Sequence, residues 1–142
     1  MAVTAPPAFL LLDSITEAVG RGAGAVVVIG SHGGASSARF AAAAQVRMAV
    51  FNDAGVGRER AGIAGLGMLE AQDIAACTVS HESARIGDAA STLRDGVISH
   101  VNAGAAAIGV TVGVRLRDWL GQSFGASLGA VADPDPGFDS KE

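Results

Sequence analysis

The stretch Ala25-Val26-Val27-Val28-Ile29-Gly30-Ser31-His32-Gly33-Gly34 decides the fold. Its apolar part has no polar alternation, as expected of a strand covered on both faces, the usual situation in parallel sheets. It ends abruptly in a small polar loop with paired glycines. The same design recurs twice. Met48-Ala49-Val50-Phe51 runs into Asn52-Asp53-Ala54-Gly55, and Ala75-Ala76-Cys77-Thr78-Val79 runs into Ser80-His81-Glu82-Ser83-Ala84-Arg85-Ile86-Gly87-Asp88.

Around these runs lie helical patterns. A strand is expected at Phe9–Leu12, followed by a capping box at Ser14-Ile15-Thr16-Glu17, where hydroxyl and carboxylate reciprocally satisfy free amides. Ser36 or Ser37 can cap a helix running to about Gln45. A further helix is expected over Arg58–Ala71, with Ile63, Leu66 and Leu69 on one face. Its glycines disfavour helix and imply close packing against the sheet. Val97, Ile98, Val101, Ala105 and Ile108 fall at helical spacing, which predicts one long amphipathic helix over Ser91–Ile108. Val110–Val114 reads as an edge strand or extended chain. Arg115–Gly121 reads as a last helix, with Trp119 and Leu120 packing inward.

Strands alternating with helices predict one three-layer α/β domain over 1–132, with a mostly parallel open sheet, Rossmann-like or flavodoxin-like. Residues 133–142, with Asp133-Pro134-Asp135-Pro136-Gly137, are expected to form a disordered tail, and Met1–Pro7 a frayed start. Right-handed crossovers bring the carboxyl ends of parallel strands to one edge, where ligands of such sheets bind. The three polar loops are therefore expected to converge.

The 142 residues suffice for one core. The apolar fraction of 49% is largely alanine, and aromatics make up only 4%. Limited core volume per residue predicts a homo-oligomer, with the Ser91–Ile108 helix as a candidate face. Ten basic against 14 acidic residues, without a basic run, argue against a nucleic-acid partner. The single cysteine, Cys77, excludes a disulfide framework and reads as a buried small hydrophobe. Phe9-Leu10-Leu11-Leu12 is too short for a signal core or a membrane span, so a cytoplasmic protein without a membrane role is expected.

The loops supply the chemistry. Gly33 and Gly34, before a helix, either cradle an anion on free amides or simply make a tight turn; Ser31 lies beside them. The loop is neither a Walker loop nor GxGxxG. His32 and His81 are candidate acid/base groups, and Asp53 a candidate base or orienting carboxylate. Asn52 and Asp53 before glycine equally suit an Asx-turn. Arg85 is the expected anion anchor, since its planar fork grips two oxygens together, unless it makes an internal salt bridge to Asp88 or Asp53. A buried guanidinium would need such a partner. Ser83 adds a hydroxyl, and Asp88 either contacts ligand or caps the next helix. His100 reads as a surface or interface residue. A serine–histidine–aspartate set can be assembled, but the Gly-x-Ser-x-Gly elbow is missing. No cofactor is expected; a divalent metal on His32, Asp53, His81 and Asp88 is possible, without the tight spacing of known zinc motifs.

The segments Gly30–Gly34, Phe51–Gly55, Ser83–Asp88 and Asp95–Ser99 together resemble a family of small uncharacterised bacterial α/β proteins. The likeness covers roughly Val26–Gly109 and implies no particular activity. From the residues, the expected function is an enzyme acting on a small anionic metabolite, such as a hydrolase, lyase or isomerase. The competing expectation is a non-catalytic module that binds a small ligand or a partner.

Overall fold

A computed structural model describes residues 9–124. The expected frayed start and disordered tail lie outside the described residues. Five strands, β1 (Phe9–Leu12), β2 (Val26–His32), β3 (Met48–Asn52), β4 (Ala75–Val79) and β5 (Ile98–Val101), form one sheet in consecutive order. β1 to β4 are parallel, and β5 is antiparallel to β4. The expected α/β domain with a mostly parallel sheet is therefore present.

The consecutive order has a consequence for layering. Each right-handed crossover steps the same way, so the connectors of the parallel strands fall on one face. That face holds the 3₁₀ turn Ile15–Ala18 and the helices α1 (Ala35–Ala44) and α2 (Ala64–Glu70). Ile15, Ala38, Ala41, Leu66 and Leu69 pack there against Val27, Ile29, Ala49 and Phe51. The opposite face carries α3 (Ala89–Asp95) and α5 (Leu116–Phe124). Leu93, Leu116, Trp119 and Leu120 pack there against Val26, Val28, Val50 and Cys77. Strands buried on both faces need apolar residues at every position, hence the absence of alternation in Ala25–Ile29. No strand order reverses, so the sheet lacks the crevice that a reversal opens in doubly wound folds. The carboxyl ends are roofed by loops instead.

Local sequence explains most boundaries. The Ser14–Glu17 capping box is formed, at the head of a 3₁₀ turn. The helix expected over Arg58–Ala71 is divided into a 3₁₀ segment, Arg58–Ile63, and α2. The last helix is present, with Trp119 and Leu120 buried.

The long helix expected over Ser91–Ile108 is not formed. The stretch is α3, then β5, then the short helix α4 (Ala103–Ala107). Gly96 ends α3, in a space where a Cβ would come within 2.6 Å of Val79 Cγ1. Asn102 caps α4, its Oδ1 accepting from Ala105 N–H at 2.9 Å and from Ala76 N–H at 3.0 Å. Between these two breakers, Val97-Ile98-Ser99-His100-Val101 suits a strand, and short apolar runs satisfy either period. The continuous helical face proposed for self-association therefore does not exist. No helix among the described residues is long and apolar enough to cross a membrane.

Candidate functional site

The loops after β2, β3 and β4 meet at the carboxyl edge, as the parallel topology requires. Gly87 N–H donates to Gly30 O at 2.7 Å, and Gly33 N–H to Asn52 O at 3.2 Å. Asn52 is fully buried and joins two of the loops: Nδ2 donates to Ala84 O at 3.0 Å, while Oδ1 accepts from Ala54 N–H at 2.8 Å. Its carboxamide is thus committed to structure, through the expected Asx-turn.

Asp53 is the chemical centre of this edge. Its own amide extends the ladder to Val79 O at 2.9 Å, which holds the carboxylate at 5% exposure between two strand ends. Oδ1 accepts from Gly55 N–H at 2.8 Å and His81 N–H at 3.0 Å, and lies 3.4 Å from His81 Nδ1. Oδ2 lies 3.9 Å from His100 Nδ1. Burial by itself would raise this carboxyl's pKa. Hydrogen bonds from the Gly55 amide, the Ser99 hydroxyl and the His81 amide, with the charge of His81, outweigh it and hold the pKa below the ordinary 3.8. Asp53 is an ionised, buried carboxylate between two imidazoles.

His100 is therefore not the peripheral residue that a helical reading makes it. On β5 it pairs with Thr78 of β4, and its ring is 32% exposed. Nδ1 lies 3.3 Å from Thr78 Oγ1 and 3.2 Å from Ser99 Oγ, and those hydroxyls share a 2.8 Å hydrogen bond. Thr78, Ser99 and His100 belong to the Asp53 network, and the helix assignment hid Ser99 and His100. A signal was present: each of the three histidines follows a serine, in Ser31-His32, Ser80-His81 and Ser99-His100. All three pairs lie at the same edge.

These contacts do not make a serine-hydrolase triad. In such a triad the serine and the carboxylate address opposite nitrogens of the imidazole. Here Ser99 and Asp53 both face Nδ1 of His100. What the cluster offers is a carboxylate-oriented imidazole. With Nδ1 of His81 turned to Asp53, Nε2 is left for proton transfer on a ring that is half exposed.

The Ser31–Gly34 loop is built differently. Gly33 N–H donates to Gly62 O at 3.0 Å as well as to Asn52 O, and Gly65 N–H donates to Gly33 O at 2.8 Å. A Cβ at Gly65 would come within 2.9 Å of the Ala38 side chain. The glycines of loop and α2 thus allow backbone to lie on backbone. Gly34 N–H donates to His32 Nδ1 at 3.1 Å, which fixes the exposed imidazole at the strand end. The Gly33 and Gly34 amides are already occupied. Ser31 Oγ is buried without a hydrogen-bond partner among the described residues.

Two concave regions flank Asp53. A cleft of about 370 Å³ is lined by His81, Glu82, Ser83, Arg85, Asp88 and Ser91, among others. Arg85 is exposed, not buried as its anchoring role led us to expect, and makes no ion pair to Asp88 or Asp53. Asp88 caps α3, accepting from Ser91 N–H at 3.0 Å. Ser83 is spent on structure: its hydroxyl donates to Ser80 O at 2.8 Å and accepts from Val97 N–H at 2.9 Å. His32 does not line this cleft. The second region, on the α2 face, is described below.

The segment from Ala54 to Arg60 closes over Asp53 through Val56 N–H to Asp53 O (2.7 Å) and Gly62 N–H to Val56 O (2.7 Å). Ala54, Val56, Glu59 and Arg60 all take positive φ there. Such residues cost on the order of 1–3 kcal/mol each and persist where surrounding structure enforces them. Among the described residues, no three histidine, cysteine, aspartate or glutamate side chains are grouped to hold a metal ion. His32, Asp53, His81 and Asp88 do not form such a group. Cys77 is buried, its thiol pushed up to about 12, so it stays protonated and unreactive. No family model, curated protein or solved structure matches the chain.

Proposed function

We propose that the protein is an enzyme acting on a small anionic metabolite, a carboxylate or phosphate, by acid/base chemistry of the hydrolase, lyase or isomerase kind. One observation carries this reading. The buried, ionised Asp53 touches His81, and the exposed ring of His81 lines the same cleft as Arg85, whose guanidinium has no ion-pair partner among the described residues. In this reading Arg85 binds the anion and His81 moves the proton. Asp53 orients the imidazole, as carboxylates do in histidine-based sites.

The test is a thermal-shift screen with small carboxylates and phosphates, followed by turnover assays on the hits. Arg85→Ala is expected to weaken binding of a hit about tenfold or more, since a charge-assisted pair is worth about 1.5–3 kcal/mol. Its melting temperature should stay at the wild-type value, because Arg85 is exposed. Arg85→Lys should recover only part of the affinity. Normal binding with early melting would remove Arg85 from the site. The competing reading, a non-catalytic ligand sensor, draws support from the openness of the cleft, where His81 and Arg85 both face solvent. Stabilisation by a ligand without turnover would favour it.

A further inference from the structure

The α2 face carries a groove of about 620 Å³ that the proposed chemistry does not use. Its volume falls in the range of small-molecule sites. Leu66 and Val112 give it an apolar lining, and charged groups of both signs line it, Glu59, Arg60 and Glu70, beside His100. Glu70 is partly committed, its Oε1 accepting from Ala103 N–H at 2.7 Å. Glu59 and Arg60 make no ion pair with each other or with another described residue.

Charge of both signs without mutual neutralisation is poorly suited to a simple anion, which two carboxylates would repel. It is also poorly suited to a simple amine, which the guanidinium would repel. It suits a ligand that carries both charges and an apolar body. We infer that this groove is a second binding site, for a zwitterionic amino acid with an aliphatic side chain. The ligand carboxylate sits on Arg60, its ammonium group on Glu59 and Glu70, and its side chain against Leu66 and Val112. A guanidinium suits the carboxylate because it donates two parallel hydrogen bonds. His100, which lines the groove, reports the occupant and links it to Asp53, 3.9 Å away.

The groove shares no lining residue with the Arg85 cleft, and its test does not require turnover. The protein is titrated with L-leucine, 4-methylpentanoate and 3-methylbutylamine, while the His100 ring proton resonances are followed by NMR and affinity by calorimetry. Leucine should bind and shift His100, and the two single-charge analogues should bind at least tenfold more weakly. Arg60→Gln should lower leucine affinity at least tenfold at unchanged melting temperature, and Arg85→Ala should leave it intact. Equal binding of leucine and either analogue would overturn the assignment. So would wild-type affinity in Arg60→Gln, loss of binding in Arg85→Ala, or no shift of His100 at millimolar leucine.

Discussion

The loops after β2 and β3 are built from the same materials and end up with opposite jobs. Ser31-His32-Gly33-Gly34 and Asn52-Asp53-Ala54-Gly55 each combine small polar residues with glycine at a strand end. In the first, the glycine amides and carbonyls are consumed by Gly62, Gly65 and Asn52, and His32 accepts from its own loop. In the second, Asn52 carries the structural load, and Asp53 keeps an ionised carboxylate against two histidines. Composition therefore does not tell a loop spent on packing from one that presents a carboxylate. What distinguishes them is that the backbone of the first is spent on packing against Gly62 and Gly65, whereas the second sets a carboxylate against two imidazoles.

This contrast can be broken by substitution. The largest effect is expected at Gly62, where a Cβ would be driven into the Asp53 carbonyl and lie 3.2 Å from Val56 O. Neither atom is the end of a flexible side chain. Overpacking against backbone belongs at the upper end of the usual cost, about 3 kcal/mol. Gly62→Ala should show a large drop in denaturant midpoint; a midpoint near wild type would mean that the loop packing is looser than described.

At Asp53 the expected loss is intermediate and divides between two variants. Asp53→Ala strands the amides of Gly55 and His81 and should cost about 1–3 kcal/mol. Asp53→Asn keeps the Oδ1 to which both amides donate, so it should fold better yet lose any His81-dependent turnover. The pH dependence has a definite sign. The carboxyl pKa is lowered in the folded protein, so its contribution to stability is complete above the ordinary 3.8. It fades as pH falls through the lower folded value. Melting curves of wild type and Asp53→Asn should therefore stay a constant distance apart near neutral pH and approach each other in strong acid. A gap that widens on acidification would refute an ionised Asp53.

The smallest effect is expected at His32. It contributes one accepted hydrogen bond on an exposed ring, so His32→Ala should cost about 0.5–1.5 kcal/mol at most. Turnover in the Arg85 cleft should survive. Its abolition would return the first loop to the chemistry and erase the contrast.

What the sequence by itself determined is the parallel core and the edge at which polar groups collect. Apolar runs without alternation, such as Ala25–Ile29 and Met48–Phe51, can be stable only when covered on both faces. Parallel pairing then places every loop that follows them on one side. Asp53 and His81 were legible for that reason. Two things rested on tertiary structure. Val97–Val101 satisfies helical and strand spacing alike, and the antiparallel pairing of Thr78 with His100, between the breakers Gly96 and Asn102, decided between them. The use of the glycines was decided by the approach of Gly62 and Gly65 to the Ser31–Gly34 loop, about 30 residues away in the chain. Local propensity reports what a residue can do with its neighbours in sequence. Which hydrogen bonds remain unspent depends on neighbours that only folding brings near.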